Sequence, residues 1–213
     1  IIAGYVTRPN PLSIVERVPV LQHFRFLGPD IISQDPKEIA PEVFNYLGVR
    51  YVIVHDYMLP PGREREATLE LVGDVLGDQM PVYEDGRIIV YPADGRSANS
   101  PFLMLVQGWG ERQVREGVPS RFVGSEATLS VVCPIDAAVA LEFSAAAQDG
   151  ARSMELLLDE QLIGEYQIDE KGGSFTADTL SLQAGVHTLR FRDEGEGEPG
   201  VTFLSLDLSS SGG

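Results

Sequence analysis

Three groups of residues in this chain carry side chains able to do chemistry at the spacing in which they occur. The first is His55-Asp56, directly after the apolar stretch Tyr51-Val52-Ile53-Val54. An imidazole beside a carboxylate suits general acid–base work, and the C-terminal end of a strand is where open α/β sheets place their ligands. No second histidine, glycine-rich phosphate loop or nucleophile motif stands near it, which favours a polar strand-end turn over a ligand site. The second is Trp109, held between Gly108 and Gly110. An indole in such a loop-like setting can serve as a stacking platform for a sugar ring; the competing reading is a plug that closes one end of a β-sandwich. The third is Asp193-Glu194-Gly195-Glu196-Gly197-Glu198, where the carboxylates of Asp193, Glu194, Glu196 and Glu198 are dense enough to bind calcium if the backbone folds them inward. The run lacks EF-hand spacing, and like charges among glycines favour an open, hydrated loop.

Other reactive types are isolated. His23 and His187 sit in apolar surroundings without metal-ligand spacing. Cys133, the lone cysteine, lies between valines and a proline and reads as a small buried apolar residue. No Gly-x-Ser-x-Gly, Ser/His/Asp order or P-loop occurs. No cofactor is expected apart from the calcium reading of the acidic loop. With 16 basic against 32 acidic residues the net charge is −16, so nucleic acid is excluded as a partner by repulsion from its phosphates.

The elements that must position these residues differ between the two halves of the 213-residue chain. In the first half, Asp35-Pro36 is a helix start, and Ile39, Val43, Tyr46 and Leu47 keep helical spacing until Gly48, with Pro41 expected to divide the stretch into a turn and a short helix. Residues 49–54 read as a strand buried on both faces of a parallel or mixed sheet. Residues 63–76 read as a second helix with Leu69, Val72 and Leu76 inward and Gly77 past its end. Asp85-Gly86 between two apolar runs marks a hairpin over 81–91. The breaker-rich run from Asp94 to Pro101 is the expected boundary. Beyond it, strand-like segments at 102–106, 127–132, 137–145, 153–158, 162–168, 179–182, 187–192 and 201–208 follow one another at the spacing of a sandwich. The expected fold is therefore an α/β or α+β unit over 1–97 followed by an all-β jelly-roll-type sandwich over 98–213. No stretch reaches the ~18 apolar residues of a membrane span. The start, Ile1-Ile2-Ala3-Gly4-Tyr5-Val6, enters in mid-strand with no leader features, and a piece of a longer polypeptide is expected.

Three segments carry a resemblance. Gly4-Tyr5-Val6-Thr7-Arg8, Leu47-Gly48-Val49-Arg50-Tyr51-Val52-Ile53-Val54-His55, and Val82-Tyr83-Glu84-Asp85-Gly86-Arg87-Ile88-Ile89-Val90-Tyr91 together resemble the soluble C-terminal region of large bacterial polytopic membrane proteins among the C-type glycosyltransferases, which use lipid-linked sugars. In the second half, Leu180-Ser181-Leu182-Gln183-Ala184-Gly185-Val186-His187-Thr188-Leu189-Arg190-Phe191 is similar to the closing hairpin of carbohydrate-binding jelly rolls. The resemblance implies a non-catalytic accessory region on the extracytoplasmic face of the cytoplasmic membrane, joined to the membrane through a parent protein. Its implied partner is a glycan or a polyprenyl-linked sugar acceptor. The family's catalytic carboxylates belong to loops near its membrane-embedded half, so no catalytic residue is carried over. Two alternatives stay open: a structural protein–protein interaction module, and an enzyme with a cleft at the end of the 51–54 strand.

Overall fold

The computed structural model describes residues 14–77, 79–93, 99–177, 179–195 and 200–210. The described residues are mostly β, with three α-helices among them. A 3₁₀ turn at Ile14–Glu16 leads into helix α1 (Pro19–Phe26), which begins on proline at its first position and ends on Leu27 in the left-handed conformation, φ 52°. The sequence reading missed this helix; eight residues with Val20, Leu21 and Phe24 inward are too short for a clear period. Helix α2 (Pro36–Leu47) starts on Asp35, whose carboxylate accepts from the Lys37 N–H (2.8 Å), and stops at Gly48, φ 64°. It runs unbroken through Pro41. The proline costs the bond to Lys37, but the helix face holding Ile39, Ala40, Val43 and Phe44 is buried, and that packing outweighs the loss.

Strand β1 (Tyr51–His55) and helix α3 (Arg63–Leu76) follow, then the hairpin of β2 (Tyr83–Glu84) and β3 (Ile88–Pro92). Asp85 caps its turn, accepting from the Arg87 N–H (2.7 Å) and the Ile88 N–H (2.8 Å). The three strands form an antiparallel sheet in the order β1-β3-β2, which corrects the expectation of a parallel or mixed sheet. The strand was also expected to be buried on both sides. Instead Val52, Val54, Ile89 and Tyr91 face the helices, while Tyr51 and Ile53, paired with Pro92 and Val90, lie on an open face and are more than half exposed.

The remaining strands are β4 (Phe102–Trp109), β5 (Gln113–Arg115), β6 (Val118–Cys133), β7 (Ala137–Ala147), β8 (Arg152–Leu158), β9 (Gln161–Ile168), β10 (Gly173–Thr176), β11 (Leu180–Leu182), β12 (Gly185–Asp193) and β13 (Val201–Ser210). All eight segments expected from the sequence are strands. Those missed are β5, β10 and the first half of β6, where Pro119, Arg121 and Gly124 break the alternation. Pairing runs β10-β7-β13-β6-β12-β8-β9, with β4 and β5 also on β6 and β11 on β7. The 16-residue β6 joins the layers: its start pairs with β13, its end with β4 and β12. Between the layers β7 buries Val139, Leu141, Phe143, Ala145 and Ala147 on alternate positions. Phe143 and Phe203 meet Phe191 across the core, with centroids 5.1 and 4.7 Å apart.

Two apolar clusters form, and each recruits from the other half of the chain. Ile31 and Ile32 belong to the sandwich cluster, while Phe102 and Val132 belong to the helical one. Residues 31–33 lie along β13: Leu206 N–H donates to the Ile31 carbonyl (2.6 Å) and Ser33 N–H to the Leu206 carbonyl (2.8 Å). Buried Gln34 fastens the same seam, donating to the Pro101 carbonyl (2.9 Å) and accepting from the Leu103 N–H (2.8 Å). Residues 94–98, which hold most of the expected boundary, lie outside the described residues. Among the described residues no helix is long and apolar enough to cross a membrane.

Candidate functional site

Trp109 closes β4 directly after Gly108, whose backbone conformation inside the strand favours glycine. Gly108 has φ +82°, and a Cβ there would overlap the Glu126 carbonyl and the Ala127 backbone. Gly110 sits close against the Phe122 carbonyl and donates its N–H to it (2.8 Å). The pairing of β4 with β6 shifts register on both sides of Gln107, and this irregularity turns the indole inward. Its Nε1–H donates to the Thr128 carbonyl (2.8 Å), and its ring stands edge-on to Phe203 (5.3 Å) and Phe191 (6.3 Å). Trp109 thus plugs the end of the sandwich core and, from the same position, lines a cavity.

That cavity, of about 160 Å³, lies where the 14–17 turn meets β4, and Glu16, Arg17, Gln107, Trp109 and Arg121 contribute to its wall. The turn is fixed to the strand by the Leu105 N–H donating to the Arg17 carbonyl (3.0 Å). Arg121 is held by a buried ion pair: its Nε and Nη2 reach Asp30 Oδ2 at 2.8 and 2.6 Å, and its Nη1 donates to the Gly110 carbonyl (2.7 Å). Asp30, whose side chain is fully buried, also accepts from Gln22 (3.3 Å) and from the Ile31 N–H (2.8 Å). A charge this deep in the fold survives because its oxygens are occupied. The cavity therefore has one aromatic wall and several polar side chains, some of them rigidly placed. Sequence reasoning found Trp109 through its flanking glycines and missed the rest, since Arg121 and Asp30 are 91 positions apart.

The other expected residues are placed separately. His55 lies on the open face of the small sheet opposite Ile88, exposed, its ring edge-on to Tyr57 at 6.1 Å. Asp56 turns to Arg65 in an ion pair of 2.6 Å. The sheet is antiparallel, so the rule placing ligands at strand C-termini of parallel sheets does not reach this pair. Asp193 pairs with Arg152 (3.7 Å) and accepts from the Gly195 N–H (2.8 Å). Glu194 turns to Glu155; the hydrogen bond between the two carboxyl groups raises its pKa. Glu196 and Glu198 lie outside the described residues. Among the described residues no cluster of three or more metal-ligating side chains forms. The Cys133 thiol is buried, and desolvation pushes its pKa up to about 11.

His187 has more order than the sequence showed. Its Nδ1 lies 2.7 Å from Asp159 Oδ2 and its Nε2 2.9 Å from the Gln183 carbonyl, while Asp159 Oδ1 accepts from the Thr188 N–H (2.8 Å). The hydrogen bond to the Asp159 carboxylate raises the histidine pKa against a smaller opposing effect of burial.

No family model matches the chain, and no curated protein matches it. Among solved structures the chain is similar to a family 35 carbohydrate-binding module from Clostridium thermocellum, at 15% identity and a TM-score of 0.39, over 53% of this chain and 99% of that one. It is similar also to the carbohydrate-binding module CBM36 in complex with calcium and xylotriose, at 7% identity and 0.38, over 53% and 99%. A CBM4 structure matches at 14% identity and 0.38, over 48% and 77%.

Proposed function

We propose that this chain is a non-catalytic accessory region that contacts glycan, and that a sugar ring seats in the cavity beside Trp109. One observation carries the reading: an indole, a carboxylate, a carboxamide and guanidinium groups line a single small cavity. Sugar rings present apolar C–H faces and a rim of hydroxyls, so they are bound by an aromatic surface together with fixed hydrogen-bonding groups. At about 160 Å³ the cavity is smaller than the ~300 Å³ at which small-molecule pockets begin, which suits one ring or the end of a chain.

In the wider form of this proposal the region belongs to a membrane glycosyltransferase-like protein and faces the outside of the cytoplasmic membrane, where its ligand is a glycan or a polyprenyl-linked sugar acceptor. The resemblance of the 47–55 and 82–91 segments supports that form, and hydrophobic spans encoded upstream of Ile1 are its test. The sugar seat is tested by a glycan array followed by calorimetry on the hits. Gln107→Ala is expected to weaken binding several-fold, as for one lost hydrogen bond of about 1 kcal/mol; absence of binding to any glycan at millimolar concentration sinks the proposal.

A second reading, an interaction module, is favoured by a separate observation. Tyr51, Ile53, Val90 and Tyr83 share the open face of the small sheet, and three of them are more than half exposed. In that reading another subunit of the same chain covers the face. Sedimentation velocity separates the two, since a monomer at high concentration leaves the interaction reading without its support.

A further inference from the structure

We infer that the cavity beside Trp109 selects a carboxylated sugar, a hexuronate, and that Arg17 is the residue that recognises the carboxylate; this rests on the sugar seat proposed above. Among the described residues, Arg17 makes no side-chain hydrogen bond or ion pair, and its Nε is buried without a partner. Arg121, the other guanidinium in the wall, is already committed to Asp30 and to the Gly110 carbonyl. Much of the positive charge elsewhere is similarly spent: Arg65 on Asp56, Arg152 on Asp193, Arg190 on Glu160 and Arg192 on Glu155.

An unpartnered donor shielded from water is costly unless a ligand supplies the acceptor. A guanidinium meets a carboxylate through two parallel hydrogen bonds, a geometry that a neutral hydroxyl cannot reproduce. Glu16 stands in the same wall and repels a bare anion, while its oxygens accept from hydroxyl groups. A ligand that satisfies both carries hydroxyls and a carboxylate on one small frame, and the indole supplies the apolar surface for the ring. The net charge of −16 works against capture of anions at long range, so the attraction is short-range and local to Arg17.

The test is calorimetric titration of the whole chain with glucuronate, glucose and acetate at low ionic strength, for the parent chain and for Arg17→Gln and Arg17→Lys, with the folded state of each variant checked by its unfolding midpoint. Glucuronate is expected to bind at least tenfold more tightly than glucose. Arg17→Gln is expected to bring the two sugars to parity, and Arg17→Lys to keep part of the preference. Equal affinities in the parent chain, or a preference that survives Arg17→Gln, overturn the role of Arg17 and leave the sugar seat standing. Acetate matching glucuronate, or no binding by either sugar, overturns the inference and the sugar seat together.

Discussion

At position 187 the imidazole faces an acceptor on each ring nitrogen, the Asp159 carboxylate and the Gln183 carbonyl. Only the doubly protonated ring donates to both, so folding favours the charged form and raises the histidine pKa. Burial works against the charged form of Asp159, yet the bonds from His187 and from the Thr188 N–H leave its pKa lowered. A raised histidine contributes stability below its unfolded pKa and loses it as pH rises through the folded value. A lowered carboxylate contributes above its unfolded pKa and loses it as pH falls through the folded value. The contact is therefore strongest between the carboxylate range and the ordinary histidine range. His187→Gln is expected to remove about 0.5 kcal/mol at pH 5.5, in the range of a solvent-accessible ion pair, and little at pH 8.5, read from urea unfolding at both values. Gly108→Ala is a harsher change, because the new methyl meets the Glu126 carbonyl in a left-handed backbone; a loss of more than about 2 kcal/mol is expected by the same measurement. Of the wall residues, Trp109 was legible as a candidate because a tryptophan between two glycines stands out in the sequence, whether as a platform or as a plug. Arg17, Gln107 and Arg121 were not, because each looks like any surface polar residue until distant strands bring them to one wall.

Elements with strong local signals were readable, and those that tertiary contacts create were not. The α2 start at Asp35-Pro36 and the Asp85-Gly86 hairpin rest on a cap and a turn that act over a few residues, and α3 on its helical period with Gly77 at its end. Helix α1 and the continuity of α2 through Pro41 depend on burial against partners far along the chain. So does the run 31–34, which in the fold lies along β13, with its two isoleucines completely buried. Gln34 tests that seam. Replacing it by leucine leaves the Pro101 carbonyl and the Leu103 N–H without their partner in a buried place. Gln34→Leu is expected to cost about 3 kcal/mol, the sum of two unsatisfied groups, measured as a shift in the urea midpoint at constant slope.

Across the whole molecule, the exchange of residues between the clusters ties the two halves together. Ile31 and Ile32 complete the sandwich core, and Phe102 and Val132 complete the helical one. A single cooperative transition is expected, with calorimetric and van't Hoff enthalpies in agreement. A chain beginning at residue 98 is expected to unfold at clearly lower urea than the parent, since it leaves the place of both isoleucines empty. The all-β character of the second half was legible from its regular strand spacing. The antiparallel order and the open face of the small sheet were not, because a β-branched run such as 49–54 has the same composition in either kind of sheet. The site itself belongs to this scale, for its wall is made of a turn at residues 16–17, one end of β4 and the first half of β6. The chain contains one tryptophan, so the ¹⁵N–¹H signal of its indole reports on that wall alone. Titration with neutral and acidic monosaccharides to about 10 mM, well above a millimolar Kd, is expected to move this signal along a saturating curve and to leave the amides of the open face at Tyr51 and Ile53 unmoved. An indole signal that stays fixed while every sugar is added contradicts the account.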